Sequence, residues 1–102
     1  MPLGSVSPFR PTGTVTLPVG TVSANIALSG GGDSVVVTNT TSGLAYIRFG
    51  SDPTVNASVT DMPILAGSNM ILSVNSLISY AAAVSPSGSG DILFSRGDGS
   101  FI

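Results

Sequence analysis

The chain has 102 residues and a formal net charge of -2; 42% of its residues are hydrophobic and only 8% are charged. That length fits one domain, with room for a single core and much surface left over. With a charged fraction far below the roughly 25% of ordinary domains, the surface must be Ser, Thr, Asn and Gly or be buried in an assembly, and three Arg without a Lys make no basic patch for nucleic acid.

The missing residue types narrow the reading further. Glu, Lys, Gln, His, Cys and Trp are all absent. The first three are the usual polar helix formers, so long surface helices are not expected. Mean hydropathy is +0.51, yet no apolar run approaches the roughly 18–20 residues that span a bilayer. The first residues lack the basic and apolar regions of a signal peptide, so synthesis and assembly in a cytoplasm are expected.

In chain order, Met1 to Thr12 holds Pro2, Pro8 and Pro11, which fix φ and remove donors. This segment reads as an extended arm, with residues 13–102 as the folded domain. The arm is either an unstructured terminus or a strap across a neighbour. Leu3, Val6, Phe9 and Arg10 are its candidate partner contacts, with Phe9 as the anchor. From Thr14 the apolar residues recur at period two, which sends alternate side chains to opposite sheet faces. Val15 and Leu17 form one short strand, Pro18 to Gly20 a turn, and Val22, Ala24, Ile26 and Leu28 one long strand. After a Gly30-Gly31-Gly32 loop, the β-branched run Val35-Val36-Val37 suggests a central strand buried on both faces.

Asn39 to Gly43 reads as a hairpin connection, with Gly43 free to take positive φ. Ala45, Ile47 and Phe49 then face one way, and Leu44, Tyr46 and Arg48 the other. Ser51 to Asp61 is a long loop or a short edge strand, and Met62 to Ser68 bends at its Pro and Gly. Met70, Leu72 and Val74 restore the alternation, and Ile78, Tyr80, Ala82 and Val84 continue it after a turn at Asn75-Ser76. Ser85 to Gly90 is a turn, Ile92 and Phe94 carry the last strand, and Arg96 to Ser100 leads out in a glycine-rich turn. Seven or eight short strands with frequent turns predict an all-β, single-domain β-sandwich or jelly roll.

The catalytic possibilities are few. A Ser nucleophile needs a base, and the chain has no His or Lys to serve. The five Asp sit beside turn signals, where Asp bonds nearby backbone N–H groups. Zinc requires His or Cys, the oxygen ligands are too scattered for calcium, and no phosphate loop follows the glycines. No enzyme activity and no cofactor are expected. Arg96-Gly97-Asp98 matches an adhesive tripeptide, and Asn39-Thr40-Thr41 and Asn56-Ala57-Ser58 match glycosylation acceptors; all three are read as turn residues. Tyr46, Arg48 and Tyr80 could make a ligand surface, or the two tyrosines could pack at the sandwich rim.

Val35-Val36-Val37-Thr38-Asn39, Ala45 to Gly50 and Asp61 to Gly67 resemble small β-rich proteins encoded among the virion structural genes of tailed bacteriophages and prophages, over about Val35 to Gly99. The resemblance implies a capsid decoration, or cement, protein: a sandwich or jelly roll on the outer capsid, often a homotrimer, with an arm reaching a neighbouring subunit. Its partners would be copies of itself and the major capsid protein or another virion protein, without nucleic acid or membrane. A head-fibre, tail-fibre or tail-tip domain and a carbohydrate- or receptor-binding β module are the alternatives.

Overall fold

The computed structural model describes residues 10–75 and 77–98, and these form eight strands and no helix. The strands are β1 (Arg10–Val19), β2 (Ala24–Ala27), β3 (Ser34–Asn39), β4 (Ala45–Gly50), β5 (Met62–Ile64), β6 (Asn69–Ser73), β7 (Tyr80–Val84) and β8 (Gly90–Asp98). The antiparallel pairs are β1 with β8, β2 with β7, β3 with β6 and β4 with β5. That pattern is one long hairpin folded at β4–β5. It is rolled up so that β8 also pairs with β3, and β7 with β4. The result is two four-stranded sheets, β1-β8-β3-β6 and β2-β7-β4-β5. Every connection except β4 to β5 changes sheet, which is the wrapping of a jelly roll.

The core lies between the sheets. Val35, Val37, Ile92 and Phe94 come from one sheet, and Ala45, Ile47, Ile64, Ala81 and Ala83 from the other. Phe94 is fully buried and meets Phe49 edge-on, with ring centroids 6.0 Å apart. The β-branched run behaves as expected: β3 lies between β8 and β6, and Val35, Val36 and Val37 are all buried. Ala45 and Ile47 also point inward, with Tyr46 and Arg48 on the opposite face.

Several local expectations are corrected. Asn39 to Gly43 is not a hairpin connection, because β3 and β4 belong to different sheets. Positive φ falls at Gly30, Gly32, Gly67 and Gly90, not at Gly43. The crossing is held instead by the Asn39 side chain, which is fully buried. Its amide donates to the carbonyls of Ile64 (2.9 Å) and Gly43 (3.2 Å), and its oxygen accepts from the Thr41 N–H (2.9 Å) and hydroxyl (2.6 Å). Asn39 is thus a buried structural residue at the end of β3 rather than a turn residue.

The expected turn at Pro18 also moves. Pro18 and Val19 are the last residues of β1, where an edge position tolerates a residue without N–H. The crossing starts at Gly20, whose carbonyl accepts from the N–H of Ser85. The long strand from Val22 shrinks to β2, and Val22 is 78% exposed. At the other end Arg10, Pro11 and Thr12 belong to β1 rather than to an arm. On β7 the inward residues are Ala81 and Ala83, while Ala82 and Val84 face outward.

Ser51 to Asp61 contains no strand. Val55 and Ala57 from this segment pack on Tyr46, Ala82 and Val84, on the outer face of the β2-β7-β4-β5 sheet. Ser23 accepts from the Ala57 N–H, and the Asn25 amide donates to the carbonyls of Pro53 and Val55. The segment is therefore a cover over one face, which explains how both faces of β7 come to be buried.

Candidate functional site

Polar side chains close the end of the sandwich where Arg10 and Asp98 face each other across β1 and β8. Arg96, expected in an exit turn, lies inside β8 and is 5% exposed. The strand puts it on the inward side with Ile92 and Phe94, at the point where the sheets part. Its guanidinium donates to the carbonyls of Gly32 (3.0 Å), Asn75 (3.2 Å) and Ile78. Those carbonyls belong to the β2–β3 and β6–β7 connections, so one side chain ties two loops to the last strand. Burial of a charge is tolerable only when its donors are satisfied, and here backbone oxygens do that work. The adhesive tripeptide reading fails on the same facts, because Arg96 and Gly97 are buried in a paired strand.

Around Arg96 lies a shallow depression of about 450 Å³, lined also by Leu28, Gly30, Gly31, Gly32, Asp33, Ile78, Ser79 and Asp98. One oxygen of Asp98 accepts from the Asp33 N–H at 3.3 Å. Carboxylates beside a guanidinium that is already occupied by carbonyls form neither an anion pocket nor a cation cage. Among the described residues, no group of three His, Cys, Asp or Glu could hold a metal ion.

The other acidic groups serve local structure. Asp61 accepts from the Ser58 N–H at 2.7 Å and lies 3.8 Å from the Arg48 guanidinium. The first bond closes a turn within the cover segment, and the ion pair links that segment to β4. The Asp52 carboxylate accepts from the hydroxyl and the N–H of Thr54, and these bonds hold it below the usual carboxylate range. It is fully exposed and ionised at neutral pH, the wrong state for a general acid. Asp91 and Asp98 stand near the two ends of β8 rather than in turns.

Tyr46, Arg48 and Tyr80 share the outer face of one sheet, as their pairing with Val84, Ala82 and Gly50 requires. The cover segment occupies that face, and Tyr46 packs beneath it. Of the candidate partner contacts, Leu3, Val6 and Phe9 lie outside the described residues. Arg10 is the exposed first residue of β1, opposite Asp98.

One further surface was not among the expected sites. Among the described residues, no segment covers the outer face of the β1-β8-β3-β6 sheet. Its outward rungs are Thr16–Leu93–Thr38–Asn69 and Thr14–Ser95–Val36–Ile71, and neither carries a charge. The signal was present in the sequence as Thr, Ser and Val at alternate positions, but their grouping needs the strand order. Comparison with family models, with curated proteins and with solved structures returned no match.

Proposed function

We propose that the chain is a non-catalytic structural protein of a virion, which binds the outside of an assembled phage capsid and stabilises it. The observation that carries this reading is the outer face of the β1-β8-β3-β6 sheet, whose two central rungs carry no charge and whose one outward carboxylate, Asp91, stands at the end of β8. Central rungs of hydroxyl, amide and apolar side chains cost little desolvation on contact with another protein, since no ion there must leave water, and Asp91 at the margin can stay hydrated. The jelly roll supports the reading more weakly: the fold serves capsid and lectin domains alike, and fold alone does not set function. Binding the assembled shell and not its free subunits would stabilise the shell by mass action. Its partners would be copies of itself and the major capsid protein.

The test is to purify particles produced by the strain that encodes the chain and to measure its copy number by quantitative mass spectrometry. Particles lacking the chain are then compared in a heat-release assay. Many copies per head, together with earlier genome release without them, would support the proposal. Absence from particles, or labelling confined to the tail, would overturn it. A glycan-dependent rise in melting temperature would point instead to a carbohydrate-binding module.

A further inference from the structure

Each sheet has two edge strands, and three of the four edges are blunted against pairing with another chain. β1 carries Pro11 and Pro18, which have no N–H, and a register shift between Pro11 and Gly13. β5 is three residues long with Pro63 at its centre. β2 is four residues long, and its Asn25 is tied to the cover segment. β6 has no Pro, no Gly, no charge and no register shift. From Met62 to Gly90 the chain holds no charged residue at all, so no Lys or Glu guards this edge.

The ladder determines which backbone groups β6 leaves open. The Asn39 N–H donates to Ser68 and the Val74 N–H to Asp33, at the two ends of the β3–β6 pairing. Antiparallel bonding alternates along a strand, so Met70 and Leu72 bond to β3. Asn69, Ile71 and Ser73 then turn their N–H and C=O groups outward. The sequence Asn69-Met70-Ile71-Leu72-Ser73 is also self-matching about its centre. Two copies aligned antiparallel place Ile71 against Ile71, Met70 against Leu72, and Asn69 against Ser73. All the outward groups of both strands are then paired, in about six hydrogen bonds. Because β1 lies against β2, the remaining edges β6 and β5 share one side of the sandwich. Met62 in β5 and Leu65 just after it are 47% and 69% exposed.

We infer that two copies of this chain associate through β6, about a twofold axis at Ile71, to make one continuous eight-stranded sheet. The two-sided pattern fits a twofold joint, in which the same patch serves both partners. It does not fit a threefold, since one strand edge accepts one neighbour. The joint is short, so it dissociates on dilution. It requires no capsid, and its failure would leave the shell-binding proposal untouched.

The test is sedimentation of the full chain over a concentration series. Wild type is expected to pass from 10.1 kDa to twice that mass as concentration rises. Ile71→Lys and Ile71→Glu each set like charges face to face, weakening association by at least about tenfold. An equimolar mixture of the two variants restores the dimer, because residue 71 meets residue 71. Hydrogen exchange on wild type gives a reading without any variant. The amides of Asn69, Ile71 and Ser73 become protected only at high concentration, whereas those of Met70 and Leu72 are protected throughout. A monomer at every concentration, a threefold mass, or equal exchange of the outward amides at both concentrations would overturn the inference.

Discussion

Replacing Asn39 by Ala removes the polar bridge that holds the crossing from β3 to β4. The Thr41 N–H loses its only side-chain acceptor, and Thr41 is 4% exposed, so water cannot replace it without opening the loop. The Gly43 carbonyl keeps the Thr41 hydroxyl at 2.8 Å, but the Ile64 carbonyl loses the amide. One orphaned buried donor costs about 1–3 kcal/mol, and each of the other lost bonds about 1 kcal/mol. The sum is about 3–5 kcal/mol, a large share of the roughly 5–15 kcal/mol that a domain possesses. In a thermal melt this lowers Tm by on the order of 15–30 °C. Asn39→Asp is the sharper probe. It keeps the shape and the acceptor for Thr41, but it sets a buried carboxyl against two carbonyls. Burial and those oxygens raise its pKa in the fold above the unfolded value. A raised carboxyl pKa contributes stability at low pH, which is lost as pH rises through the folded value. The variant should therefore approach wild type near pH 4 and fall away towards pH 7 in urea titrations. An Asn39→Ala loss below about 1 kcal/mol, or an Asn39→Asp loss that does not change with pH, would refute the account of this bridge.

Phe94→Ala should cost about 3–5 kcal/mol in denaturant unfolding, because the ring is fully buried against Phe49, whereas Leu93→Ala on the open face should cost far less. Arg96→Met replaces a buried cation by an apolar chain and leaves three carbonyls without their donor. Its destabilisation should exceed about 2 kcal/mol, with faster hydrogen exchange concentrated in residues 30–33 and 77–79; uniform exchange would contradict a clamp on these loops. For Asp52, a carboxylate lowered in the fold adds stability above its unfolded pKa and loses it as pH falls through the folded value. An NMR titration should place its midpoint below that of a free Asp, and Thr54→Val should raise it; an unmoved midpoint would show that Thr54 is not the cause.

The sequence by itself determined the class of structure. Without Glu, Lys or Gln it had no material for surface helices, and its Val, Thr and Gly at period two could only become short strands joined by turns. Val35-Val36-Val37 was readable as a central strand because only a strand buried on both faces carries an unbroken β-branched run. Most other choices were made by tertiary structure. Period two shows that a strand has two faces but not which one is inside, and on β7 the inward pair proved to be Ala81 and Ala83. Nothing local marks Ser51 to Asp61 as the cover for the other side of that strand. Arg96 sits among glycines and Asp in sequence and is buried only because the rolled hairpin brings Gly32, Asn75 and Ile78 around it. The open face and the β6 edge have the same origin. A residue becomes an edge or a rung through partners far along the chain, and a short window of sequence carries no information about them.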